Sequence, residues 1–167
     1  MTRLFSLATL AVISALVLAA CGGSSSGGSS SSSTTSTSAA QAATSSAVPV
    51  ITSKSSSLGT FLVDAKGRTL YLFEADKGPM SACAGACASV WPPLKTTGKP
   101  SAGAGVTASK LGTTKRSDGA TEVTYNGHPL YTYAGDSAPG QTSGQGLDDY
   151  GAEWYALSAG GSKIDNG

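Results

Sequence analysis

The chain has 167 residues, with eleven Lys and Arg against ten Asp and Glu, a net charge of +1, and 22 glycines. It contains no run of Lys or Arg, so it lacks both the basic footprint of a nucleic-acid binder and a polybasic patch for anionic lipid. A charged fraction of 13%, with abundant Gly, Ser and Thr, points to a loop-rich extracellular β protein rather than a helical enzyme.

Arg3 precedes an apolar run from Leu4 to Ala20 that stops at Cys21. A basic start, a short apolar stretch and small residues at the cut site mark a bacterial export signal. The run is shorter than the roughly 18 to 20 residues that cross a bilayer. Leu18-Ala19-Ala20-Cys21 reads as a lipobox. On this reading, residues 1–20 are a lipoprotein signal peptide, and Cys21 carries lipid on its thiol and heads the mature chain. The competing readings are an ordinary secretory signal with a chance Cys, or a short membrane helix. Removing residues 1–20 takes only Arg3 from the charges, which leaves ten basic and ten acidic side chains. Attachment then rests on the lipid, and the expected location is the extracytoplasmic side of the cell membrane.

Residues 22–46 contain only Gly, Ser, Thr, Ala and one Gln. With no apolar surface to bury and no charge, they read as a disordered tether, residues 21–47 with the lipidated Cys included. Its reach as a random coil is about 25 to 30 Å. A glycosylated stalk is the alternative.

Residues 48–163 are long enough for one compact domain, and they read as strands. Val48 to Thr52, interrupted by Pro49, suits an edge strand. Thr60 to Asp64 and Thr69 to Phe73 flank Ala65-Lys66-Gly67-Arg68, a hairpin signal. Lys110 to Lys115 adds a strand. Thr121 to Tyr125 and Leu130 to Tyr133 flank Asn126-Gly127, which supplies the positive-φ residues of a type I′ turn. Glu153 to Ser158 is the last strand. Only Met80 to Val90 has helical character, and Gly85 weakens it.

The two hairpins are copies. A shift of 60 residues, without a gap, lays Val63, Gly67, Leu70, Tyr71, Asp76 and Pro79 on Val123, Gly127, Leu130, Tyr131, Asp136 and Pro139. Phe73 falls on Tyr133. Each copy continues to a Trp strand, Trp91-Pro92-Pro93-Leu94 or Trp154-Tyr155-Ala156-Leu157. Repeat 1 spans about residues 58–95 and repeat 2 about 118–160. A lone hairpin cannot bury its own face. Two of them, related by a pseudo-twofold, can share a core. Alternation along the strand puts Tyr71 and Phe73 on one face and Leu70 and Leu72 on the other. Tyr71, Phe73, Trp91, Tyr131, Tyr133 and Trp154 are thus expected to gather, either as a core of large side chains with satisfied polar tips or as an aromatic platform for a ligand. The expected fold is all-β: two hairpin repeats in one small sandwich or barrel-like domain, with a short helical turn at the Cys pair.

Tyr71-Leu72-Phe73-Glu74-Ala75-Asp76 and Tyr131-Thr132-Tyr133-Ala134-Gly135-Asp136, with Trp91-Pro92-Pro93-Leu94, resemble the repeat of a family of bacterial secreted lipoproteins. That family has a Tyr-x-aromatic-x-x-Asp motif and is described as a secreted repeat of unknown function. The resemblance covers roughly residues 58–160. It implies an extracytoplasmic all-β repeat protein and no particular activity.

With Cys21 lipidated, Cys83 and Cys87 are an even pair in an oxidising compartment, and a disulfide is their default fate. So short a loop contributes only about 2 kcal/mol by the entropy model. The alternative is a redox or copper-handling site of Cys83 and Cys87 with Met80 and His128, a donor set that suits copper. Asp76 and Asp136, with Asp148 and Asp149 nearby in sequence, offer oxygen ligands for calcium, but no calcium-loop motif is present. Acceptors for backbone N–H groups in turns are the simpler role. Lys115-Arg116-Ser117-Asp118-Gly119 reads as a turn with solvated charges. No G-x-S-x-G elbow occurs, and His128 is the sole His. The expectation is a non-enzymatic envelope lipoprotein without a cofactor, which has a structural role or binds an envelope protein or a small ligand.

Overall fold

The structure, a computed structural model, describes residues 48–165. Strand β1 is Val50–Ser56 and β2 is Gly59–Val63, paired antiparallel from Thr52↔Val63 to Ser56↔Gly59. Strand β3 is Tyr71–Phe73, helix α1 is Ala86–Val90 and β4 is Ser101–Ala102. A 3-10 turn at Ala108–Lys110 leads into β5, Leu111–Lys115. Strands β6, Thr121–Tyr125, and β7, His128–Pro129, follow, and β8, Leu147–Asp149, and β9, Ala152–Ala156, complete the domain.

The strands form three small sheets, ordered β2-β1-β4, β3-β9-β8 and β5-β6-β7, and these do not close into a barrel. Single bridges stitch them together at Phe61↔Ser158, Lys95↔Glu122, Pro93↔Tyr131 and Tyr71↔Tyr131. The architecture is therefore all-β, with two repeats and a short helix at the Cys pair.

Four details differ from the sequence reading. The first strand is not at an edge: β1 lies between β2 and β4, because Pro49 precedes it and every residue of β1 keeps its N–H. The first hairpin turn forms, with Leu70 N–H donating to Leu62 O at 2.9 Å, but β3 then leaves β2 and pairs with β9, Phe73 facing Trp154. Helix α1 is confined to Ala86–Val90, since Gly85 before it sits at φ 58°. Trp91 to Leu94 is not a regular strand, although Leu94 exchanges backbone bonds with Leu130 and Val123.

The repeats match more closely in hydrogen bonding than in numbering. Leu94 N–H donates to Leu130 O, and Val123 N–H to Leu94 O. Leu157 N–H donates to Leu70 O, and Leu62 N–H to Leu157 O, the same pattern in the other half. Leu62 is thus the counterpart of Val123, and Phe61 of Glu122, as the bridges Phe61↔Ser158 and Lys95↔Glu122 also show. The turn after β2 is one residue longer than Asn126-Gly127, so the gap-free shift places Val63, rather than Leu62, on Val123. The Asn-Gly turn has φ 51° and 83°, the pair that type I′ demands.

Two apolar clusters lie on opposite faces of the central strands. Phe61, Val63, Tyr71, Phe73, Trp91, Tyr131, Trp154 and Ala156 belong to one, with the two cysteines. Leu62, Leu70, Leu72, Val123, Tyr125, Leu130, Tyr155 and Leu157 belong to the other. Odd and even positions of one strand feed different clusters, as period-2 geometry requires.

Candidate functional site

The signature residues of the repeat meet at the junction between its two copies. Tyr71 and Tyr131 exchange backbone hydrogen bonds, N to O 2.8 and 3.0 Å. Their hydroxyls then cross over. Tyr71 donates to Asp136 Oδ2 at 2.7 Å, and Tyr131 donates to Asp76 Oδ2 at 2.9 Å. Each Asp uses its other oxygen on its own loop: Asp76 Oδ1 accepts Ala82 N–H at 2.7 Å, and Asp136 Oδ1 accepts Ser143 N–H at 2.9 Å. The Tyr of one motif is completed by the Asp of the other. Burial, first, and the carboxylate beside each hydroxyl hold both phenols far above their usual range, so they stay protonated donors.

The aromatic positions cross in the same way. Phe73 stacks on Trp154 with centroids 4.1 Å apart, Trp154 on Trp91 at 4.0 Å, and Trp91 against Tyr133 at 4.4 Å. Tyr71 meets Trp91 edge-on at 5.4 Å and Tyr131 meets Trp154 edge-on at 5.1 Å. Both indoles are fully buried, and both donate to Asp149, Trp91 to its carboxylate at 3.3 Å and Trp154 to its carbonyl at 3.0 Å. Buried indole N–H groups need such partners. The aromatic cluster expected from the alternation is therefore mainly packed interior, with Tyr133 half-buried at its margin.

A family model described as a secreted repeat of unknown function matches the chain twice, over residues 52–95 and 112–158. The chain belongs to that family. Each match carries one complete motif, so the family signature coincides with the crossed Tyr–Asp pairs and the ring stack. No curated protein and no solved structure matches the chain.

Cys83 and Cys87 form a disulfide with Cα atoms 5.3 Å apart, and both residues are buried against Trp91 and its neighbours. Metal capture would need free thiolates. Met80 is 63% exposed, and His128 lies on β7. Among the described residues no three His, Cys, Asp or Glu side chains converge as a metal-binding group, so the copper donor set is not assembled. Asp76 and Asp136 accept donors rather than pointing together at a cation. Cys21 and the tether lie outside the described residues.

His128 borders an open groove of about 540 Å³ with Phe73, Glu74, Asp76 and Lys163. Partial burial lowers its pKa, which favours the neutral imidazole. A second groove, about 420 Å³, runs between the 97–100 loop and β5, with Lys99 its one charged lining residue.

Sequence reasoning missed a buried polar set beside the Tyr131–Asp76 pair. Arg116 is 6% exposed rather than solvated, and Glu122 is fully buried. Arg116 donates to Glu122 Oε2 at 2.7 Å, to Ser81 Oγ at 2.6 Å and to the Cys83 carbonyl at 2.5 Å. Ser81 Oγ lies 2.7 Å from the Tyr131 hydroxyl. On β6, Val123 and Tyr125 fill one face and Glu122 lies on the other. Only the second buried face, invisible in one strand's alternation, puts Glu122 inside.

Proposed function

We propose that this chain is a lipid-anchored extracytoplasmic lipoprotein, whose two-repeat β domain is non-enzymatic and serves the cell envelope as a rigid binding or structural module. The supporting observation is how the family's signature residues are used. Tyr71, Phe73, Asp76, Trp91 and their partners in the second repeat are engaged chiefly with one another, at the joint between the copies. A motif that defines a family through its internal joint specifies a scaffold, and binding then falls to the surface, where the two grooves lie.

The lipobox at Leu18-Ala19-Ala20-Cys21 supports anchoring. Among the described residues no helix is long and apolar enough to cross a membrane. The tether of residues 22–46 would hold the domain about 25 to 30 Å from the headgroups.

Cell fractionation with metabolic palmitate labelling tests the anchor. Wild type should label and sediment with membranes. Cys21→Ser should lose the label and leave the membrane fraction, or stay uncleaved. A Cys21→Ser protein that remained processed and membrane-bound would remove the lipoprotein reading.

A further inference from the structure

The two halves of the joint are built differently, and the difference centres on one buried carboxyl. Around Tyr71 and Asp136 the counterpart position holds Phe61. Around Tyr131 and Asp76 it holds Glu122, fully buried, with Oε2 on Arg116 and Oε1 without any partner. The fold thus holds an apolar residue at the symmetry-related position. A buried carboxylate with a bare oxygen is costly when ionised.

The groups that face this carboxyl come from every neighbouring segment. Asp76 follows β3, Tyr131 follows β7, and Ser81 stands in the loop before the disulfide. Arg116 follows β5, with Asp118 3.4 Å from its Nε at the surface. Lys95 bridges Glu122 through its backbone while its ammonium lies 3.7 Å from Asp118. Asp118 takes up part of the Arg116 charge from outside. Within the joint a single guanidinium serves two carboxyl groups, Glu122 and Asp76.

We infer that Glu122 and Asp76 form a proton-binding site at the repeat joint, which takes up one proton as the medium approaches mild acidity and holds it on Glu122 at Oε1. Glu122 receives it because both oxygens of Asp76 are already occupied by donors, Ala82 N–H and the Tyr131 hydroxyl. Protonating Asp76 would weaken one of those bonds, whereas protonating Glu122 at Oε1 weakens none. Burial, the first cause, lifts Glu122 to about 7 against the pull of Arg116 and the Ser81 hydroxyl, and Asp76 pushes it further up; burial lifts Asp76 to about 6. The site joins the disulfide loop, through Ser81 and the Cys83 carbonyl, to strand β6 of the second repeat. Deprotonation leaves an unmatched charge at that joint.

Carboxyl NMR on the folded protein, with Asp and Glu side chains labelled with ¹³C, tests the site from pH 3 to 9. Wild type should show the Glu122 carboxyl titrating at least one unit above the exposed glutamates, in two coupled steps with Asp76. Asp76→Asn should move the Glu122 midpoint down, and Glu122→Gln should leave Asp76 titrating in one simple step. A Glu122 carboxyl that titrates with the exposed glutamates, or whose midpoint ignores Asp76→Asn, overturns the proposal. The wild-type titration decides the first point even if a variant fails to fold.

Discussion

Tyr71 and Tyr131 face each other across the pseudo-twofold, each giving its N–H to the other's carbonyl at 2.8 and 3.0 Å. Their hydroxyls leave this point in opposite directions, each to the Asp of the opposite motif. A repeat cut from its partner would keep a phenol and a carboxylate that both lack their mates.

Coupling energies should follow this crossing. Tyr71→Phe leaves Asp136 Oδ2 without its donor and should cost about 1 to 3 kcal/mol. In double-mutant cycles by urea unfolding, Tyr71→Phe with Asp136→Asn should show coupling of roughly 0.5 to 3 kcal/mol. Tyr71→Phe with Asp76→Asn should show less. Stronger coupling within one motif than between motifs would contradict the observed geometry.

The ring stack should carry more. Trp154→Ala removes the ring between Phe73 and Trp91 and should destabilise by about 3 to 5 kcal/mol. Gly144 should be almost as sensitive, for a steric reason. A Cβ there would stand 2.7 Å from Trp91 Cη2 and 3.1 Å from Tyr71 Cζ. Gly144→Ala should therefore cost about 1 to 3 kcal/mol, measured by thermal or denaturant unfolding, and it should perturb the near-UV dichroism of the tryptophans.

Arg116 and Glu122 should respond unequally to single and paired replacement. Arg116→Ala leaves the Glu122 carboxylate alone in the interior, at a cost of about 3 to 5 kcal/mol. Replacing both, Arg116→Met with Glu122→Phe, copies the Phe61 side of the joint and should come within about 1 kcal/mol of wild type or exceed it. Equal losses from both variants would mean that the ion pair is needed by the fold.

Glu122 and Asp76 together set a pH dependence. Glu122 and Asp76 titrate higher in the folded chain, at about 7 and about 6, than their ordinary values of 4.5 and 3.8. The unfolded chain then binds fewer protons than the folded one across this range, so stability falls as pH rises. Their contribution is complete below about pH 4 and is lost as pH climbs through 6 and 7. The melting temperature in constant salt should drop from pH 5 to pH 8, and Glu122→Gln should flatten that slope. A wild-type melting temperature that rose over the same interval would refute the assignment.

The disulfide should matter locally. Replacing Cys83 and Cys87 together with Ala should cost about 2 kcal/mol by loop entropy, with the strands retained by circular dichroism. Thiol titration of the exported protein should find the pair unreactive until reduced.

Much of this protein is determined by local chemistry and is legible in its residues. Asn126-Gly127 requires a positive-φ turn wherever it stands, and the period-2 pattern sorts Tyr71 and Phe73 from Leu70 and Leu72 in any sheet. The recurrence of Tyr71, Phe73 and Asp76 at Tyr131, Tyr133 and Asp136 announces two copies and one core. Only the tertiary structure decides which Tyr serves which Asp, because both motifs carry the same groups and the crossing depends on how the copies meet. It also decides that β3 joins β9 rather than β2, since a short strand pairs with whichever edge the packing of Trp154 presents. It places Arg116 and Glu122 inside for the same reason: burial on a strand's second face comes from what packs there, which the strand's own residues do not encode.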